Sequence, residues 1–384
     1  MRFVLATSDL VLLGRSFEGF PLLIGDDGDA MEPAQTYLWH LLGQAGRIGS
    51  KRTWEKYGRD IYDYFAFVHA NKVDWRTRPE SGLPGPLERY IEWSKGTLGL
   101  DTKTINGRVR LAIRFYRWAL KANLIDALPF DEVVVQTPHD PTFFSHLEVN
   151  PGETLSANVL MREPKSVIRL LTKDQVRVCL EALTNEAHRR MFEVMTRSGL
   201  RQEEVRTLPE HYIFDPARRR DLHPQQMIMV DLDPSDMKTK GDKPRTIEMP
   251  YSLMEDLWWW SVRKRPARAG NHPSGRTFAT LFLTEAGVPY GDSALTSIFN
   301  RIKAKVGFHV TPHMCRHTYA TYRLRSLKNS KTFEGDPLLY IMDRLGHTSV
   351  LTTKAYLSLV NQLDGQLVMQ HEDELDDLFY RKAA

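Results

Sequence analysis

The chain has 384 residues, 42% hydrophobic and 26% charged, with a formal net charge of +4; this is ordinary for a soluble globular protein, long enough for two units with separate cores, and too mildly basic for charge alone to name nucleic acid as a partner. Two cysteines, Cys179 and Cys315, exclude a disulfide framework and point to a reducing compartment. The absence of any run of about 18 apolar residues excludes a spanning helix, and Met1–Leu13, broken by Ser8 and Asp9, is not expected to be a secretory leader.

In chain order, residues 1–30 hold the apolar runs Phe3–Leu5, Val11–Leu13 and Phe20–Ile24, punctuated by Gly14 and a Gly-Asp cluster. They predict a small strand or hairpin appendage. A helical period starts after Met31: within 51–70, Trp54, Tyr57, Ile61, Tyr64, Phe65 and Val68 recur at steps of three and four. A Pro/Gly stretch from Arg78 to Pro86 breaks the pattern, and a second helix is expected around 87–95. From Thr104 to Lys121 two stripes run along one helix. Ile105, Val109, Ala112, Ile113, Tyr116 and Leu120 form an apolar face; Arg110, Arg114, Arg117 and Lys121 form a cationic one about 120° away. Such a row suits phosphates, but a solvated charged face explains it as well. Asp101 or Thr102 is placed to cap this helix. Residues 131–165, with Pro138, Pro141, Pro151 and Pro164 and no helical period, read as a linker. A mostly helical second domain follows from 166 to 360, opening at Thr172 and carrying a short strand insertion between about 226 and 250. The tail, 361–384, sets Leu375, Leu378 and Phe379 among acidic residues, either as a docking element for a neighbouring subunit or as a frayed end.

Three boxes in the second domain carry candidate chemistry. Arg201 follows a Gly199-Leu200 turn and precedes Glu204 by three positions. His313 and Arg316 lie at i and i+3 behind Thr311-Pro312, so on a helix both point toward one target. His347 follows Leu345-Gly346, where it can sit at a helix start that favours an anion, and Tyr356 lies nine positions on. Arginine donates two hydrogen bonds to a phosphate and stays charged. A phenol with a pKa near 10 is a poor nucleophile at neutral pH unless nearby cations favour its phenolate. Two arginines, two histidines and a tyrosine therefore form a parts list for attacking a phosphodiester without a metal. A metal site at His313 and His317 is the rival reading, but Met314 stands where a zinc protease motif needs Glu. Lys238, Lys240, Lys243 and Arg245 tip a turn within the strand insertion; alone they would be a solvated basic loop. Cys315 and Trp258–Trp260 read as packing, with at most one ring of the latter exposed.

The order and wording of these boxes resemble the tyrosine recombinase (phage integrase) family over roughly residues 166–360. The resemblance implies a mainly α fold with a small β-sheet: a two-domain, C-shaped DNA clamp with a helical core-binding domain at 31–130 and a mixed α/β catalytic domain at 166–360. It implies Tyr356 as the nucleophile, Arg201, His313, Arg316 and His347 around the phosphate, and Glu204 as their brace. Lys240 matches the lysine that protonates the leaving oxygen, with Lys238 as a rival. Arg110, Arg114, Arg117, Lys121, Lys238, Lys243 and Arg245 are candidates for DNA contact. No metal, ATP or other cofactor is implied. The implied partners are double-stranded DNA with specific recombination sites, three further copies in a DNA-bound homo-tetramer, and an accessory directionality factor, with no membrane. The implied setting is the bacterial cytoplasm, on the nucleoid, in integration, excision or transposition of a mobile element. A type IB topoisomerase-like enzyme and a catalytically silent DNA-binding regulator are the alternatives. One departure from the family pattern is the long basic link from Arg323 to Thr332 between the second and third boxes.

Overall fold

The first residues pair as antiparallel strands, β1 (Arg2–Leu5) with β4 (Pro21–Ile24), around a tighter hairpin of β2 (Val11–Leu12) and β3 (Arg15–Ser16). The computed structural model describes the whole chain except residues 13, 45–49, 81, 137–152, 165–167, 348–355, 358 and 361–384, so the expected docking tail lies outside the described residues. The chain divides into two compact units, Met1–Lys165 and Ser166–Ala384.

In the first unit these strands are not peripheral, because Phe17, Phe20 and Leu23 are buried in the same core as the helices. The Phe17 ring lies 4.9 Å from Trp39, and Phe20 lies 5.8 Å from Trp54. The helices are α1 (Ala34–Leu38), which runs into a π turn (Trp39–Gln44), then α2 (Lys51–Ala70), α3 (Pro86–Gly96) and α4 (Thr102–Lys121). The Asp101 side chain caps α4 by accepting from the Thr104 N–H at 3.0 Å. The apolar stripe of α4 is inside, with Ile105, Val109 and Tyr116 fully buried and only Leu120 partly so. On the cationic stripe Arg110, Arg114 and Lys121 are exposed and Arg117 is half-buried. Arg110 pairs with Glu163 at 2.7 Å, Arg117 pairs with Glu132, and Arg114 lies over the Tyr57 ring.

The stretch expected to be a linker holds a hairpin, β5 (Glu132–Gln136) paired antiparallel with β6 (Glu153–Ala157). Arg117 also bonds the Leu155 carbonyl, and Asn106 bonds the Met161 carbonyl at 2.7 Å, so α4 fastens this stretch. The run Glu132-Val133-Val134-Val135 is β-branched and suits a strand.

The second unit opens with α5 (Lys173–Ala182), whose Thr172 and Gln175 form a reciprocal capping box. Then come α6 (Glu186–Ser198), α7 (Gln202–Thr207), the antiparallel pair β7 (Met227–Leu232) and β8 (Arg245–Pro250), α8 (Tyr251–Arg263), α9 (Arg265–Gly270), α10 (Ala294–Val306), α11 (Pro312–Asn329) and α12 (Pro337–Leu345). Of the three tryptophans on α8, Trp260 is buried, Trp258 half-buried and Trp259 exposed. No helix among the described residues is long and apolar enough to cross a membrane.

Strand β7 alternates, with Ile228, Val230 and Leu232 inward, whereas β8 is covered on both faces. Ile247 and Met249 enter the main core, and Glu248, which alternation turns to the other face, is fully buried under α11 and α12. Its carboxylate accepts from Tyr319 (2.7 Å), Tyr340 (2.8 Å) and two nitrogens of Arg323 (2.6 and 2.8 Å). One acid thus ties β8 to both helices. Removing it leaves Arg323 without its buried counter-charge, so Glu248→Ala is expected to destabilise this unit by about 3–5 kcal/mol. Urea unfolding of the full chain checks this; a loss below about 1 kcal/mol, the size of an exposed pair, refutes it.

Candidate active site

Helix α6 ends at Gly199 in the left-handed region, φ +67°, and its N–H returns to the Met195 carbonyl. A side chain there would meet the Tyr319 ring, since an ideal Cβ lies 2.4 Å from Cδ1. The buried Leu200 follows, and Arg201 becomes the N-cap of α7. Glu204, fully buried, accepts from the Arg201 backbone N–H (2.7 Å) and from its Nη1 (2.8 Å).

Arg316 comes from α11, whose start is fixed by Thr311 accepting from the Met314 N–H and by Pro312 in the first turn. It is 3% exposed, and its guanidinium donates to the carbonyls of Gly199 and Leu345. Arg201 Nη2 donates to the same Leu345 oxygen at 2.9 Å. A third guanidinium, Arg245 on β8, bonds Glu204 and the Arg344 carbonyl. Three cations therefore share one region in which Glu204 offsets one charge. Burial, with Arg201 and Arg245 beside it, pushes Arg316 down to about 9. The arrangement favours an incoming anion.

His347 directly follows the C-terminal end of α12, closed by Gly346 at φ +58°, with the His347 N–H on the Met342 carbonyl at 3.0 Å; the helix it was expected to start falls on residues 348–355, which lie outside the described ones. Tyr356 is 2% exposed, and its ring lies parallel to His347, 11° and 6.3 Å apart. Its hydroxyl hydrogen-bonds Nδ1 of His317 at 2.8 Å. The expectation that cations lower the phenol's pKa is overturned in net sign: burial raises it more than Arg316 and Arg201 lower it. Burial, then Arg316, Arg201 and Lys240, push His347 down to about 3. Desolvation, then the same three cations, also lowers His313, and burial followed by His313 and Arg316 pushes His317 down to about 4.

The structure thus brings Arg201, Glu204, Arg316, His347 and Tyr356 together, with His313 one turn of α11 away from His317 and their rings 6.1 Å apart. Lys238, Lys240 and Lys243 are exposed in the loop between β7 and β8, and the charge of Lys240 reaches His313 and His347. Arg245, expected as an exposed DNA-contacting tip, points inward: its side chain is 8% exposed because Glu204 holds it. Arg110, Arg114, Arg117 and Lys121 belong to the other unit. Two residues were given no part in this chemistry from the sequence, His317 having been weighed only as a metal partner of His313. Glu248 is signalled by an acid between Ile247 and Met249 in a strand, and His317 by its place directly after Arg316.

The Phage integrase family matches residues 169–362. Tyrosine recombinase XerD of Chlorobaculum tepidum is 22% identical over 328 residues, 84% of this chain and 90% of the relative. Tyrosine recombinase XerC of Vibrio parahaemolyticus is 25% identical over 336 residues, 78% of this chain and 96% of the relative. Transposase A from transposon Tn554 of Staphylococcus aureus is 26% identical over 215 residues, 56% of this chain and 55% of the relative. Two solved structures share the fold. The Tn1549 transposon integrase with transposon right end DNA gives a TM-score of 0.54 at 16% identity, covering 91% of this chain and 99% of that one. XerH recombinase in a post-cleavage complex with its palindromic difH substrate gives 0.52 at 15%, covering 88% and 89%.

The depressed histidines have a consequence for stability. Their folded-state pKa values, about 3 for His347 and about 4 for His317, lie below the unfolded value near 6.5. As pH falls below about 6.5 the unfolded chain takes up protons that the folded chain refuses, so stability is lost toward pH 4. Urea midpoints are expected to fall between pH 7 and pH 5, and His347→Gln is expected to flatten that slope; an unchanged slope in the variant refutes the assignment.

Proposed function

The chain belongs to the phage integrase family and is a tyrosine recombinase that cleaves and rejoins DNA, and from that premise we propose which side chains perform the reaction. Tyr356 attacks the scissile phosphorus, forms a phosphotyrosyl bond to the 3′ side and releases a 5′ hydroxyl. Arg201 and Arg316 hold the non-bridging oxygens and the charge that develops on them. His313 and His347 complete the hydrogen bonds to the phosphate. Lys240 protonates the leaving 5′ oxygen; the reach of its charge to His313 and His347 supports it over Lys238. A partner strand's 5′ hydroxyl then attacks the phosphotyrosyl bond and frees Tyr356. The bond energy stays in the covalent link, so the cycle closes without ATP.

The observation that carries this reading is the Leu345 carbonyl shared by Arg201 and Arg316, with His347 and Tyr356 stacked alongside. That carbonyl gathers two forks where a phosphate is able to compete for them, and the third cation, Arg245, is held back by Glu204. The likeness to Transposase A of Tn554 supports service to a mobile element, in integration, excision or transposition. The first unit, with Arg114 and Lys121 exposed on α4, is read as a second DNA-contacting body of a two-domain clamp, and strand exchange between two duplexes calls for a tetramer.

Incubating the full chain with fragmented genomic DNA, trapping covalent adducts and sequencing the protein-linked ends tests this directly. A single recurrent site with a 3′ linkage and a free 5′ hydroxyl is expected. Tyr356→Phe should bind the mapped duplex and trap nothing, and Arg316→Ala should slow adduct formation by about 10²–10³. An adduct formed by Tyr356→Phe refutes the nucleophile. Relaxation of any supercoiled plasmid without strand exchange marks a type IB topoisomerase, and binding without any adduct marks a silent regulator.

A further inference from the structure

The proposed reaction names a donor for the leaving oxygen but no destination for the proton of the phenol. That proton must go somewhere, because Tyr356 is not ionised in advance: it is buried, and burial outweighs the help of Arg316 and Arg201. The atom its hydroxyl meets is Nδ1 of His317, at 2.8 Å, within the range for direct transfer. His317 is fixed on α11 directly after Arg316, its ring centre 5.6 Å from that of Tyr356, with the His313 ring stacked one turn before it. The base and one phosphate-binding fork are thus consecutive residues of one helix and move as one body.

Resting on the phosphotyrosyl reading, we propose that His317 is the base of the cleavage step and the acid of the rejoining step. In cleavage Nδ1 takes the phenol proton as the Tyr356 oxygen bonds phosphorus; the bond from phosphorus to the 5′ oxygen breaks, and that oxygen takes a proton from Lys240. In rejoining the incoming 5′ hydroxyl gives its proton to Lys240 as its oxygen bonds phosphorus, and His317 returns its proton to the departing phenolate. One proton enters His317 for each that leaves Lys240, so the charge of the site is conserved and no outside acid or base is required.

The surroundings favour this role. Burial, His313 and Arg316 keep the free imidazole neutral at neutral pH, so its lone pair is available to the hydroxyl. The charged and titratable groups around the pair are His313 and Arg316 on α11, Arg201 at the start of α7, and His347 behind Gly346. A phosphate held among these cations adds negative charge and raises the basicity of His317 when substrate is present.

The test is single-turnover adduct formation on a suicide duplex that carries the mapped site, nicked a few nucleotides 3′ of it. At pH 7, His317→Ala and His317→Gln should each be slower by about 10²-fold, with DNA binding within about twofold of the parent chain. Glutamine keeps the acceptor and the shape but cannot hold the proton, so it separates a base from a spacer even if the alanine variant folds poorly. The deficit of both variants should shrink as pH rises toward the phenol's own ionisation, which burial sets above the ordinary tyrosine value. A duplex with sulfur in place of the 5′ bridging oxygen, whose leaving thiolate needs no proton, should rescue Lys240→Ala but not His317→Gln. A loss below about threefold for His317→Gln, a deficit that does not change with pH, or equal rescue by the sulfur duplex overturns the proposal. Absence of any adduct from the parent chain instead overturns the phosphotyrosyl reading itself.

Discussion

Three guanidiniums are packed where one carboxylate is available, and the second unit is organised around that imbalance. Glu204 takes Arg201 and Arg245, and backbone carbonyls take what remains of Arg201 and Arg316. Carbonyls are dipoles, not counter-charges; they satisfy the N–H groups but leave the net charge standing. The cost shows in Arg316, whose proton is held more loosely than a free guanidinium's. Such a cluster persists only if the elements carrying it cannot drift apart. Glu248 supplies that restraint by fastening β8 to α11 and α12, while Tyr319 links the same acid to the Gly199 turn that aims Arg201. Two buried acids thus serve the cluster, Glu204 among the cations and Glu248 behind them.

What the linear chain disclosed and what it concealed follow from the range of the interactions involved. Local periodicity and caps are written in neighbouring residues, so α4 with its Asp101 cap, the Thr172 capping box and the hairpin of β7 and β8 were all legible. The spacing of His313 and Arg316 was legible for the same reason, since a helix turns i and i+3 to one side. Pairings between distant residues were not. Arg245 reads as one more basic tip beside Lys243, and only the fold reveals that Glu204, 41 positions away, draws it inward. The hairpin of β5 and β6 was hidden because prolines dominate the stretch and its valines are mostly exposed, so no alternation marks it. The pKa of Tyr356 was misjudged in sign because a sequence lists the nearby cations but not the burial that outweighs them.

Histidines serve this site by staying uncharged. Burial first, and then the lysine and arginine charges that they face, lowers the basicity of His313 and His347. A protonated ring beside those arginines would add to a surplus that already strains Arg316. Neutral rings still donate one hydrogen bond each, so they can recognise an oxyanion without worsening the repulsion before it arrives.

On α4 in the first unit, Arg110 and Arg117 already have carboxylate partners in Glu163 and Glu132. A polyanion laid along that stripe would have to displace those acids, or leave them facing it. Half of the stripe would thus trade one ion pair for another instead of expelling bound salt ions. The ionic-strength dependence of association would then be shallower than a count of the stripe's basic side chains implies, and register along the helix would fall chiefly to Arg114 and Lys121.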